Sequence, residues 1–181
     1  MEIFYKSQRE YGNLNMCTAV CYNLAMRYLS YHHGSNDEIF SHESIDEIMK
    51  QSAEFYQNVQ KPNAAGLMGV FDIMKMVKLP PGIVGKDFGG TLLGGGLDDV
   101  EGLVVMSLVD TLQLLRETTV PAAFIATFSE HSIVFLAEAG GRVMLFDPLP
   151  ASLVEVLPRT FASASGAEVM YSGVLFGHAA E

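Results

Sequence analysis

Three residues far apart in the chain, Cys17, His131 and Asp147, have the side chains that nucleophilic acyl transfer needs. A thiol attacks a carbonyl only as thiolate, and an adjacent imidazole can take its proton. A carboxylate on the far side of the imidazole fixes its tautomer and holds the ring. Each residue also has a structural reading. Free cysteines are most often small buried hydrophobes, a histidine on an apolar strand is most often a satisfied core residue, and an aspartate before proline commonly closes a turn. Separately those readings win. Jointly, the nucleophile, base and orienter set is favoured, provided the chain folds to bring the three together.

The elements that must do so can be read locally. Polar, turn-prone residues from Gly12 to Met16 run into Cys17, and an amphipathic helix follows from about Met16 to the Tyr31-His32-His33-Gly34 region. Val20, Leu24 and Tyr28 recur after Cys17 at helical spacing, which puts Cys17 on the inward stripe at the first turn. Asn13 or Asn15 can cap that turn, and the positive end of the helix favours thiolate. Cys21 lies one turn further on, away from that end. Far down the chain, His131 opens a β-prone run that extends to Ala137. A Gly140-Gly141 turn joins it to Arg142–Phe146, closed by Asp147-Pro148.

The midpoint between His131 and Asp147 is Ala139, inside that turn. A loop of three or five residues therefore puts both side chains on one face of the hairpin. Opposite residues have Cβ atoms about 4.5–5.5 Å apart and diagonal ones about 7–8 Å, within reach of a carboxylate and an imidazole. A loop with an even count would turn one of them over.

Composition narrows the classes. At 181 residues with 49% apolar content, the chain is expected to be a single domain (residues 1–181) with a real core. No run approaches the roughly 18 consecutive apolar residues of a membrane span. Met1–Lys6 lacks the basic start and apolar block of a signal peptide, and two cysteines four residues apart fit neither a disulfide framework nor a zinc site. An intracellular, reducing location, cytoplasmic or nuclear, is the expectation. The net charge of −10 argues against nucleic acid and suits a basic partner.

Elsewhere, Glu2–Tyr5 reads as a short strand. Gln8, nine residues before Cys17, could donate its amide to an oxyanion, although a solvated loop residue is the competing reading. Ser44-Ile45-Asp46-Glu47 is a capping box that opens a helix ending before Pro62, and a further helix is expected from about Leu67 to Lys78. His32 and His33 point to different sides of a helix and make no metal pair. Residues 82–102 are rich in glycine and read as loop with one short strand at Thr91–Leu93, without the basic residue and helix start of a phosphate loop. A helix is expected over about Val104–Arg116, then strands at Ala122–Phe128, in the hairpin, and at about Glu168–Phe176. The expected class is α+β.

The constellation of a cysteine opening the first helix, a histidine opening a strand and a Phe-Asp-Pro strand end resembles the papain-like cysteine peptidases. More specifically it resembles the deubiquitinating domain of herpesvirus large tegument proteins. The resemblance is carried by Asn15-Met16-Cys17-Thr18, by Ser44–Met49 with Phe55-Tyr56, by Lys78-Leu79-Pro80, and by His131 through Leu145-Phe146-Asp147-Pro148. It implies a papain-like fold in which a mainly helical part (about 13–117) packs on an antiparallel sheet (about 120–177), with the active cleft between them. It implies a cysteine-dependent deubiquitinase with ubiquitin as partner, no metal or cofactor, and a monomeric state. Cys17 would attack, His131 would move the proton, Asp147 would orient it, and the Cys17 N–H with Gln8 or Asn15 would hold the oxyanion. One departure matters: the herpesvirus pattern reads Asp-Pro-His and uses that histidine, whereas Leu149 stands here. YopT-like effector peptidases share the cysteine helix and Asp-Pro strand end, and a non-catalytic papain-like binding module is a third reading.

Overall fold

The β-prone run after Pro121 does form strands, and it recruits partners from well before it. In the computed structural model, residues 17–32, 47, 79–92, 101–128, 131–138, 140–149, 151–156 and 169–179 are described. They form α1 (Cys17–His32), β1 (Ile83–Thr91), β2 (Leu103–Val105), α2 (Leu108–Glu117), β3 (Ala122–Phe128), β4 (His131–Glu138), β5 (Arg142–Asp147), β6 (Ser152–Glu155) and β7 (Met170–His178). The expected strand at Glu2–Tyr5 and the helix over Leu67–Lys78 lie outside the described residues. Of the helix after Ser44, only Glu47 is described, helical and exposed.

The described strands make one sheet in the order β2-β1-β7-β3-β4-β5-β6. β1 and β2 are parallel, and the other neighbours are antiparallel. The class is α+β. The expected division into a helical part and a sheet of about residues 120–177 is corrected. Residues 83–91, read as loop, form a nine-residue strand that pairs along its whole length with β7, from Ile83↔His178 to Thr91↔Met170. Glycine carries no β-propensity of its own, so Gly85, Gly89 and Gly90 hide this strand from a local reading.

The expected helix start at Val104 is corrected too. Leu103–Val105 joins the sheet as β2, and the helix begins after Ser107. Ser107 Oγ accepts from the Asp110 N–H at 3.0 Å, which satisfies one of the unpaired donors of the first turn. β6 was not foreseen; it extends the hairpin by pairing with β5.

Strand alternation divides the core between the two faces of the sheet. On one face α1 packs against Ala123, Ile125, Val134, Leu136, Phe146, Val174 and Phe176. On the other, Leu108, Leu112 and Leu115 of α2 meet Ala122, Phe124, Phe135, Val143 and Tyr171. Each large apolar side chain among these contributes about 1.5–3 kcal/mol when fully buried. α1 is enclosed on more than its expected stripe: besides Val20, Leu24 and Tyr28, the side chains of Tyr22, Ala25, Met26 and Leu29 are buried. A helix apolar on nearly all sides belongs inside, and this one holds Cys17 at its buried first position.

Candidate active site

Cys17 is the first residue of α1 and is 7% exposed. Its helix packs mainly on β4 and β3, so the end of α1 carrying the thiol abuts the start of β4. His131 is the first residue of β4. Alternation points Ser132, Val134 and Leu136 toward α1, and His131 starts the opposite series with Ile133 and Phe135. Standing at the strand's end, its imidazole still interacts with the thiol, each shifting the other's proton affinity.

The β4–β5 turn has the odd loop that the sequence requires. Glu138 pairs with Arg142, leaving three residues between the strands. Gly140 and Gly141 both have positive φ, at 106° and 91°, which accounts for the Gly-Gly pair. The register runs to Val134↔Phe146, so one further step sets Asp147 beside Ile133 and diagonal to His131. His131 Nε2 and Asp147 Oδ1 are 2.8 Å apart. That contact leaves Nδ1 as the ring nitrogen for the thiol. The same carboxylate oxygen accepts from the Leu149 N–H at 3.0 Å, which holds Asp147 from the turn side.

Electrostatics follow the geometry. Burial pushes the Cys17 thiol up, but hydrogen bonds from the His131 ring, the Ser132 backbone and the Thr18 hydroxyl, with the charge on His131, together bring it below its ordinary value. The hydrogen bond with Cys17 raises His131 to about 9; desolvation opposes this, and Asp147 adds to it. Both shifts run toward a thiolate–imidazolium pair. Cys21 behaves oppositely. It is fully buried, its Sγ donates to the Ser132 carbonyl at 3.5 Å, and burial drives its thiol well above the ordinary value. A Cys21 thiol pushed up by burial beside a Cys17 thiol brought down by its contacts is the expected contrast between structural and reactive thiols.

The structure thus brings Cys17, His131 and Asp147 together. Gln8 and Asn15, the candidates for an oxyanion hole, lie outside the described residues, as does Asn13. Of the other histidines, His32 is exposed and stacks edge-on with Tyr28, and His178 Nε2 lies 3.0 Å from the Leu29 carbonyl, on another part of α1. Among the described residues, no group of three or more His, Cys, Asp or Glu could hold a metal ion.

Sequence reading missed three hydroxyls beside the site. Ser132 Oγ lies 2.7 Å from Thr18 Oγ1 and 2.8 Å from Thr127 Oγ1, and both Thr18 and Ser132 are fully buried. One signal was available: Ser132 shares the inward alternation of Val134 and Leu136, where a polar residue needs a partner.

No family model and no curated protein matches the sequence. Among solved structures, the chain is similar to the ubiquitin-specific protease encoded by murine cytomegalovirus tegument protein M48, captured with a ubiquitin-based suicide substrate. The TM-score is 0.58 at 16% identity, over 98% of this chain and 85% of that one. At that identity the likeness is one of fold.

Proposed function

We propose that the protein is a cysteine peptidase of papain-like fold that removes ubiquitin, cleaving the bond after its C-terminal Gly-Gly. The observation that carries the reading is the 2.8 Å bond of the His131 ring to Asp147, beside a Cys17 thiol at the start of α1 whose proton affinity His131 lowers. The fold likeness to a viral ubiquitin-specific protease supports the substrate class.

The Cys17 thiolate attacks the glycine carbonyl carbon, and the C=O electrons move onto oxygen. N–H groups at the start of α1 are the expected oxyanion donors, since the first turn of a helix leaves them free of intrahelical partners. As the tetrahedral adduct collapses, the C–N bond breaks and the His131 imidazolium gives its proton to the departing lysine amine. A thioester to Cys17 remains. Neutral His131 then takes a proton from water, whose oxygen attacks the thioester carbonyl. Collapse releases the ubiquitin carboxyl group and the thiolate, and the imidazolium is restored. Asp147 accepts a hydrogen bond from His131 throughout and transfers no proton. The enzyme works as an intracellular monomer, where the thiol stays reduced.

Ubiquitin's extended tail carries arginines before its two glycines. The net charge of −10 suits that tail, and Glu101 after the glycine-rich stretch is exposed. Exposed ion pairs contribute only about 0–1 kcal/mol, so the charges speed encounter more than they fix affinity.

The test compares a ubiquitin–fluorophore conjugate with a short peptide ending in the same glycines. The conjugate should be cleaved far faster, because contacts remote from the bond contribute to transition-state binding. Raising salt to physiological strength should lower kcat/KM with kcat little changed. Equal rates on both substrates would point instead to a peptidase for another protein, and a thiol inert to small electrophiles would point to a binding module.

A further inference from the structure

Ser132 makes three different links where α1 meets the sheet. Its hydroxyl sits between those of Thr18 and Thr127, at 2.7 and 2.8 Å. Its carbonyl accepts from Cys21 Sγ at 3.5 Å, and its backbone helps lower the proton affinity of the Cys17 thiol. Thr18 follows Cys17 and Ser132 follows His131 in the chain, so the Thr18–Ser132 bond ties together the residues next to the thiol and next to the imidazole. Thr127 is the cross-strand partner of Ser132, which anchors the chain of hydroxyls in β3 as well.

These hydroxyls stand among apolar neighbours. Val20, Val134 and Leu136 fill the same face, and a serine or threonine there loses its water on folding. Apolar residues of similar size would pack there without needing partners. A hydroxyl contact is directional where an apolar one is not, so it opposes sliding of α1 along β4. Sliding is the motion that would separate Cys17 from His131.

We propose that Thr18 and Ser132 are positioning residues, whose hydroxyl–hydroxyl bond sets the register of α1 against β4 and so holds the Cys17 thiol against the His131 ring. The proposal rests on the thiol–imidazole reading above and concerns its geometry, not the substrate.

The experiment measures alkylation of Cys17 by iodoacetamide as a function of pH, with fragmentation of the labelled peptide separating Cys17 from Cys21. Thr18→Val is nearly isosteric and removes one hydroxyl; Ser132→Ala removes the other and keeps the backbone groups. Thr18→Ser keeps the hydroxyl and is the rescue. In wild type the thiolate midpoint should lie below the ordinary thiol range. Both apolar variants should raise it by about one pH unit and slow alkylation about tenfold at pH values below the wild-type midpoint, the size expected from one lost hydrogen bond. Because Thr18→Val also removes the Thr18 Oγ1 contact to Cys17 Sγ at 3.9 Å, Ser132→Ala, which leaves that contact in place, isolates the positioning role. Thr18→Ser should stay close to wild type. Circular dichroism identifies which variants keep the native fold, and those decide. A native-like Ser132→Ala with the wild-type midpoint, even at a lowered melting temperature and whatever Thr18→Val does, would overturn the positioning role. An ordinary midpoint in wild type itself would instead overturn the thiol–imidazole reading beneath it.

Discussion

Asp147 lies diagonal to His131 across the β4–β5 ladder, and its carboxylate bridges 2.8 Å to His131 Nε2 and 3.0 Å to the Leu149 N–H. The diagonal placement leaves the His131 ring room to turn its other nitrogen toward α1. It also gives Leu149 a role that its side chain does not determine. Here the Leu149 backbone N–H secures the carboxylate from the turn side.

This division of roles sets the order of two mutational effects. His131→Ala should lower kcat/KM on a ubiquitin conjugate by about 10^4-fold or more, since it removes the group that moves the proton. Asp147→Ala should cost less, because it only orients that group. His32 and His178 should be replaceable with small effects. An active His131→Ala enzyme would remove His131 from the mechanism.

The two cysteines should separate cleanly. Cys17→Ala should abolish turnover and labelling by a ubiquitin-derived electrophile. Cys21→Ala should retain labelling and lose only some stability, because a small buried side chain and a weak bond to the Ser132 carbonyl are removed. Peptide mapping of the labelled enzyme decides the matter, and adduct on Cys21 would reverse the assignment.

The activity should be bell-shaped in pH. The ion pair needs Cys17 ionised and His131 protonated. On the acid side the thiolate takes up its proton at a pH below the ordinary thiol value of 9.0, because the His131, Ser132 and Thr18 contacts outweigh burial. On the alkaline side His131 loses its proton near pH 9. Protonation below the first limit and deprotonation above the second both destroy the pair, so kcat/KM should rise, level and then fall across this window. A kcat/KM still climbing well above about pH 9 would contradict an imidazolium acting as the acid.

The sheet itself offers a test of the structure apart from catalysis. A Cβ on Gly173 would come within 2.4 Å of Phe124 Cζ and 2.9 Å of the Ile125 carbonyl, whereas one on Gly177 would meet nothing within 4 Å. Gly173→Ala should therefore destabilise by about 1–3 kcal/mol through forced repacking of a buried ring. Gly177→Ala, on the same strand, should change stability by no more than about 0.5 kcal/mol. Chemical denaturation of the two variants side by side makes the comparison, and equal midpoints would contradict the pairing of β3 with β7.

The local pieces of the site are legible in the order of residues alone. Cys17 at the start of an apolar helix and the Gly-Gly turn joining two β-prone runs follow from near neighbours, through helical period, capping chemistry and φ preference. The even His131–Asp147 spacing is legible as well, but the shared face also needed the three-residue loop that the Glu138–Arg142 pairing sets. What the fold decided involves partners distant in sequence. The glycine-rich β1 is a strand because β7 pairs with it, and α2 crosses to the far face of the sheet once Leu103–Val105 has joined β1. The meeting of Thr18 with Ser132, 114 positions apart, likewise depends on how α1 settles on β4. Local propensity is blind to such contacts: a glycine or a serine has much the same short-range preferences wherever it stands, and only the opposing strand or helix supplies the hydrogen bond that fixes its place.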